Sequence, residues 1–219
     1  MNILAIETSG EYASLAVLDR AGQLTESARH SPEGHSSLLF GEIQSLLRRA
    51  GVRMEDLDCF AAAAGPGSFT GVRVALSAAK GLAAVMGKPM VAVSNLQALA
   101  WFGEAPLRAV LLDARRGGIY AAVFNERLEP VQAEIVTTLE PWLASLPAGE
   151  LEIVVATPEL LAGRALPHPV RVMQPELLAR GVAWIARAQA MAGAAVDPAL
   201  TDANYVRRAD AEMKWVDRS

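Results

Sequence analysis

The chain is short of several residue types, and each shortage removes a class of function. Cys59 is the only cysteine, so no disulfide framework and no cysteine zinc site forms within the chain. It lies in the run Cys59-Phe60-Ala61-Ala62-Ala63-Ala64 and reads as a small buried hydrophobe. There are three histidines. His30 and His35 have Pro32 and Gly34 between them, so no continuous helix presents both on one face. His168 stands between two prolines. All three read as loop residues rather than metal ligands. Lys+Arg number 20 against 24 Asp+Glu, a net charge of −4, which speaks against a free-standing nucleic-acid binder with a basic stripe. The arginine pairs Arg48-Arg49, Arg115-Arg116 and Arg207-Arg208 join no longer basic run. No apolar run reads as a membrane span, and Met1-Asn2-Ile3-Leu4-Ala5-Ile6-Glu7 lacks the basic region and apolar core of a secretion signal. A cytoplasmic location without a membrane partner is the expectation.

What the chain does have is a glycine loop. Gly65-Pro66-Gly67-Ser68-Phe69-Thr70-Gly71-Val72-Arg73 follows the short apolar run at 59–64, which suits a buried strand. It precedes a helix expected over 71–86. Three glycines and a proline in seven positions mark a sharp strand-to-helix turn. Ser68 or Thr70 caps the helix, whose first N–H groups suit an anion. The loop is not a Walker loop, for no glycine-lysine pair stands at that spacing, and Thr70 breaks the dinucleotide fingerprint. A tight turn whose glycines serve packing alone is the competing reading.

With 219 residues, 52% of them hydrophobic, the chain holds one large domain or two small ones. Strands are expected over 3–6, 13–18 and 23–29, the third at an edge, joined by two short turns. A helix opening at His35-Ser36-Ser37 runs to Ala50 with Leu39, Ile43, Leu46 and Leu47 on one face, and Gly51 stops it. After the glycine loop and its helix come a strand at 89–93 and a short helix over 94–102. The second half nearly repeats this order: strands at 107–112, 119–124 and 130–136, a helix over 139–146, a strand at 151–156, a helical turn at 158–161, a short strand at 170–173 and a helix over 175–191. The tail from 197 is polar and irregular, with a short element at Asn204-Tyr205-Val206. A duplicated three-strand meander followed by alternating helices and strands is the order of two ribonuclease-H-like lobes in tandem, the α/β actin-like ATPase (ASKHA) fold. The lobes are expected over 1–103 and 104–219, with a cleft between them.

Four strings carry a family resemblance: Ile3-Leu4-Ala5-Ile6-Glu7-Thr8-Ser9, the glycine loop, Asp113-Ala114-Arg115 ahead of a strand with Tyr120, and Tyr205-Val206-Arg207. Together they resemble the bacterial TsaB (YeaZ) family, and the likeness covers essentially the whole chain. The resemblance implies a non-catalytic activating subunit of tRNA threonylcarbamoyladenosine biosynthesis. Its implied partners are a TsaD-type catalytic subunit, which moves threonylcarbamoyl to adenine 37 of tRNAs reading codons beginning with A, and a TsaE-type ATPase. It also implies a homodimer when alone, and tRNA met only through the complex.

By analogy with the fold, Glu7, Thr8 and Ser9 sit where actin-like ATPases bind phosphate and metal, and Asp113 occupies the equivalent place in the second lobe. With Gly65, Gly67 and Ser68 they form a degenerate nucleotide cleft, since Ala156-Thr157-Pro158-Glu159 replaces the adenosine loop. No catalytic residue, no metal site and no resident cofactor is expected in the chain, with ATP and Mg²⁺ left to the assembled complex. The partner surface is expected on the first two helices, at Leu38, Leu39, Ile43, Leu46, Ala75, Ala78, Ala79 and Leu82. Two alternatives are an actin-like ATPase in its own right and a glycoprotease-type peptidase with Ser68 as nucleophile.

Overall fold

The computed structural model describes residues 1–30, 38–174, 177–204 and 206. The expected helix start at 35–37, Pro175 in the first turn of the last helix, and Tyr205 and Arg207 of the late motif lie outside the described residues.

The first five strands are β1 (Ile3–Glu7), β2 (Tyr12–Leu18), β3 (Leu24–His30), β4 (Cys59–Ala63) and β5 (Met90–Val93). They form one sheet in the order β3-β2-β1-β4-β5. β1 pairs antiparallel with β2 and parallel with β4. β6 (Leu107–Arg115), β7 (Gly118–Asn125), β8 (Pro130–Thr137), β9 (Leu151–Val155) and β10 (Val170–Val172) form the second sheet in the order β10-β9-β6-β7-β8. The topology is the same, with the third strand of each half at an edge. β1, β4 and β9 are buried along their whole length, which is why they read as unbroken apolar runs rather than alternating ones.

The helices α1 (Leu39–Ala50), α2 (Phe69–Met86), α3 (Asn95–Ala100), α4 (Leu139–Ala144) and α5 (Leu178–Met191) complete the elements. α1 and α2 cover the outer face of the first sheet, where Leu4, Ile6, Val17 and Phe60 meet Ile43, Leu46, Val72 and Ala79. α4 covers the outer face of the second sheet through Trp142. Between the sheets lie α3 and α5, and here the helices cross the expected boundary: α3, from the first half, packs on β6, β7 and β9, and α5, from the second half, packs on β1, β2, β4 and β5. One core therefore runs from Ala5 and Ala16 through Ala98 and Val182 to Val110 and Val154. The crossing is close, for a Cβ on Gly181 would lie 2.5 Å from the Ala98 carbonyl oxygen. Trp101 and Trp184 stack beside it, nearly parallel at 7°.

Two bounds move. α2 begins at Phe69, two residues before Gly71, because Ser68 rather than Thr70 caps it, its hydroxyl accepting from the Gly71 N–H. β6 continues to Arg115 because Asp113 still pairs with Ile119. With 18 residues and few charges, α2 is long and apolar enough to cross a bilayer, against the expectation that no apolar run spans a membrane; here its apolar face lies on the first sheet.

The expected partner surface needs correction. Leu39, Ile43, Leu46, Ala75, Ala78 and Ala79 are all buried in the lobe's own core, because the apolar stripe of each helix is what covers the sheet. Leu38 is 44% exposed and Leu82 half-buried. Exposed instead are Leu38 and Phe40 at the start of α1 and, on one side of α2, Ser77, Gly81, Ala84 and Val85.

The segment joining the lobes is fixed by Glu152, whose Oε1 accepts from the backbone N–H groups of Glu104 and Ala105 while Oε2 accepts from Arg171. Burial pushes this carboxyl up, but the two amides and the guanidinium together outweigh it and hold it below the usual range. A depressed folded value contributes stability above the unfolded pKa of about 4.3, lost as pH falls through the folded one. Glu152→Gln should therefore lower the urea midpoint at pH 7, and the gap to the parent should narrow as the pH falls below about 4.5. A gap constant with pH contradicts the ionic role.

Candidate functional site

The turn after β1 is built around the Glu7 carboxylate. Oε1 accepts from the backbone N–H of Ser9 at 2.5 Å and from its hydroxyl at 2.6 Å. Oε2 accepts from Ser14 Oγ at 3.3 Å. Ser9 Oγ in turn accepts from Asn95 Nδ2 at 2.6 Å, and Ser14 Oγ accepts from the backbone N–H of Ala179 at 3.1 Å. One hydrogen-bonded chain thus runs from α3 through Ser9, Glu7 and Ser14 to the first turn of α5. Glu7, Ser14 and Asn95 are each no more than 2% exposed, and buried polar networks persist when their members are satisfied.

The glycine loop docks on this turn. Gly65 has φ +97°, a conformation few side chains adopt, and both its N–H and its carbonyl are held by Asn95, through Oδ1 at 3.0 Å and the backbone N–H at 2.8 Å. Gly67 has no positive φ and serves close approach instead: a Cβ there would lie 2.8 Å from Ser9 Cβ. At Gly71 a Cβ would meet the Thr8 carbonyl oxygen at 2.0 Å. Thr8 Oγ1 donates to the Gly71 carbonyl at 2.7 Å, and the Ser68 N–H donates to the Ser9 carbonyl at 3.0 Å.

A cleft of about 320 Å³ opens between the lobes, and Glu7, Ser9, Gly67, Ser68 and Asp113 reach its wall. Thr8 and Gly65 do not line it; they lie in the joint beneath. Sequence reasoning missed Tyr12, Asn95 and Tyr120 as wall residues and Ser14 as a network member. Ser14 and Asn95 left one trace, a polar residue inside an otherwise apolar stretch. Glu11 and Asp113 make the wall acidic, with Arg115 its one cation among the described residues. Asp113 is itself engaged: Oδ1 accepts from the Arg115 N–H at 2.7 Å, and Oδ2 lies 3.6 Å from the Arg115 guanidinium. Cys59 is buried, and desolvation pushes its thiol up to about 11, so it is inert.

The family model described as TsaD, tRNA N6-adenosine threonylcarbamoyltransferase, matches residues 28–192. The tRNA threonylcarbamoyladenosine biosynthesis protein TsaB of Bacillus subtilis is 30% identical, the match covering 99% of each chain. The chain belongs to the TsaB family, one related in sequence to TsaD. The solved structure of YeaZ from Pseudomonas aeruginosa superposes with a TM-score of 0.78 at 26% identity, covering 93% of this chain and 99% of that one. Component A of the (R)-2-hydroxyglutaryl-CoA dehydratase of Acidaminococcus fermentans shares the fold alone, with a TM-score of 0.56 at 9% identity. The fold is the tandem actin-like one that the strand order implies.

Two variants separate joint from pocket. Gly71→Ala drives a methyl into the Thr8 carbonyl and should destabilise by about 2–4 kcal/mol. Glu7→Gln keeps the shape and loses the charge-assisted bonds, and should cost about 1–3 kcal/mol. Denaturant unfolding measures both; an unchanged midpoint for Glu7→Gln removes the structural role of the carboxylate.

Proposed function

We propose that this chain is a non-catalytic activating subunit of the assembly that transfers threonylcarbamoyl to adenine 37 of tRNA. It works beside a TsaD-type catalytic subunit and a TsaE-type ATPase, in the cytoplasm and away from membranes. The observation that carries the reading is the state of Glu7. An actin-like nucleotide site needs a carboxylate at the end of the first strand, turned to the cleft and able to hold a hydrated metal. Glu7 holds that place at 2% exposure, with both oxygens engaged by Ser9 and Ser14. An acidic wall also disfavours an unaccompanied polyphosphate. Any nucleotide or Mg²⁺ belongs to the assembled complex, and the cleft residues are remnants that now hold the turn.

The alternatives fare worse on the same geometry. Ser68, the nucleophile of a peptidase reading, has its hydroxyl engaged as the α2 cap. The sheets share one core through α3 and α5, which resists the lobe closure an ATPase cycle relies on.

The partner surface of this reading is the outward face of α1 and α2. Small residues at Ser77, Gly81 and Ala84 admit a second helix closely, Val85 supplies exposed apolar area beside them, and Leu38 and Phe40 supply it at the start of α1. The same face serves a homodimer in the absence of partner, so the two states compete.

Depletion in the source cell should remove threonylcarbamoyladenosine from tRNA hydrolysates, and re-expression should restore it; an unchanged level overturns the reading. Gly81→Arg tests the surface. A Cβ there meets nothing within 4 Å, and arginine favours a helix over glycine by up to about 1 kcal/mol. The variant should fold as well as the parent or better, yet lose both self-association and the TsaD-type partner by light scattering. Unchanged assembly places the contact elsewhere.

A further inference from the structure

α2 bears only two charged residues, Arg73 and Lys80, and both are cations, in a chain whose net charge is −4. Arg73 lies over the Phe69 ring at 3.8 Å. Lys80 instead lines an open groove of about 690 Å³ together with Lys88. One wall of the groove is the second half of α2, with small residues at Gly81 and Ala84; the other is the turn at 197–199. That turn is fixed in place. Val196 and Met90 of β5 exchange both backbone hydrogen bonds, at 2.9 and 3.0 Å, and the Asp197 carboxylate accepts from the Ala199 N–H at 2.8 Å. The groove is therefore preformed, and an occupant need not order it.

Among the described residues no carboxylate pairs with either lysine, and both are half-buried. A lysine at a helix end answers the negative pole of the dipole, which accounts for Lys88, just past the cap at Gly87. It does not account for Lys80, about two turns inside α2. Ala84 and Ala199 of the two walls are followed by Val85 and Leu200, 84% and 77% exposed. Positive charge beside exposed apolar side chains suits an acidic protein segment. No aromatic ring lines the groove, so the bases of a nucleic acid have nothing to stack on. Residues 207–219 of the chain itself are net basic and do not complement it. A second copy is also a poor occupant, for an isologous contact sets each patch against itself and cations meet cations. We infer that this groove takes an acidic segment of the partner protein, and that its charge favours the heterologous complex over self-association on α2. The inference rests on the α2 surface proposed above and names what chooses between its two occupants.

The parent chain supplies the first test, with the TsaD-type protein of the same source as probe. Raising the salt from about 50 to about 500 mM should weaken the heterologous complex and strengthen self-association, both followed by analytical ultracentrifugation. Salt responses of the same sign overturn the inference. Lys80→Gln/Lys88→Gln removes both charges with little change in helix propensity. At parental Tm it should move the two constants in opposite directions, the partner bound about fivefold more weakly and the homodimer about threefold more tightly. Lys80→Arg/Lys88→Arg, which keeps the charge, should leave both near the parental values. A glutamine variant that changes neither constant, or weakens both together, overturns the inference. So does lysine-dependent binding of an unmodified tRNA transcript to the isolated chain, which assigns the groove to nucleic acid. If Gly81→Arg leaves assembly unchanged, the α2 surface itself fails; if Gly81→Arg abolishes assembly while the glutamine variant changes nothing, the charge inference alone fails.

Discussion

The first lobe is assembled on a buried carboxylate, 2% exposed. Glu7 accepts two bonds from Ser9 and one from Ser14, and those two hydroxyls reach α3 through Asn95 and α5 through the Ala179 amide. Without these donors, burying the charge would be costly. With them, four segments distant in sequence share one position. The glycine loop then settles on the turn with almost no clearance, and α2 leaves in a fixed direction because Ser68 caps it at the point where Gly71 touches Thr8.

That constraint propagates to the second lobe. α5 is set on the first sheet at its amino end by Ser14 and crosses α3 at Gly181. α3 in turn rests on the second sheet. Further ties cross at the edge: Glu134 of β8 accepts from the Ser94 hydroxyl and from Asn204 Nδ2, while the Asn204 N–H donates to the Ala64 carbonyl. The cleft is the space left between the lobes by this joint.

Much of this was legible in the sequence. The strand order followed from buried apolar runs and from turn residues such as Gly22, Gly51 and Gly87. The glycine loop announced itself by composition. What failed did so for physical reasons. Periodicity identifies the apolar stripe of α1 and α2 but not the residues outside it, and Leu39, Ile43 and Ala79 of that stripe are core rather than contact residues. The expected strand stops at Leu112, short of Arg115, because a bulge leaves no composition signal. Gly65 rather than Gly67 carries the positive φ, and that choice depends on Asn95, thirty residues away. The crossing of α5 onto the first sheet is a tertiary fact that no local pattern encodes.

The central claim is that Glu7 holds the turn and does not hold a nucleotide. It is tested most directly by calorimetric titration of Mg²⁺–ATP into the purified chain, beside the same titration into the assembled complex. The account predicts no saturable heat for the chain alone and binding only when the partners are present. Saturable Mg²⁺-dependent binding by the isolated chain, abolished by Glu7→Gln at unchanged thermal stability, would contradict it.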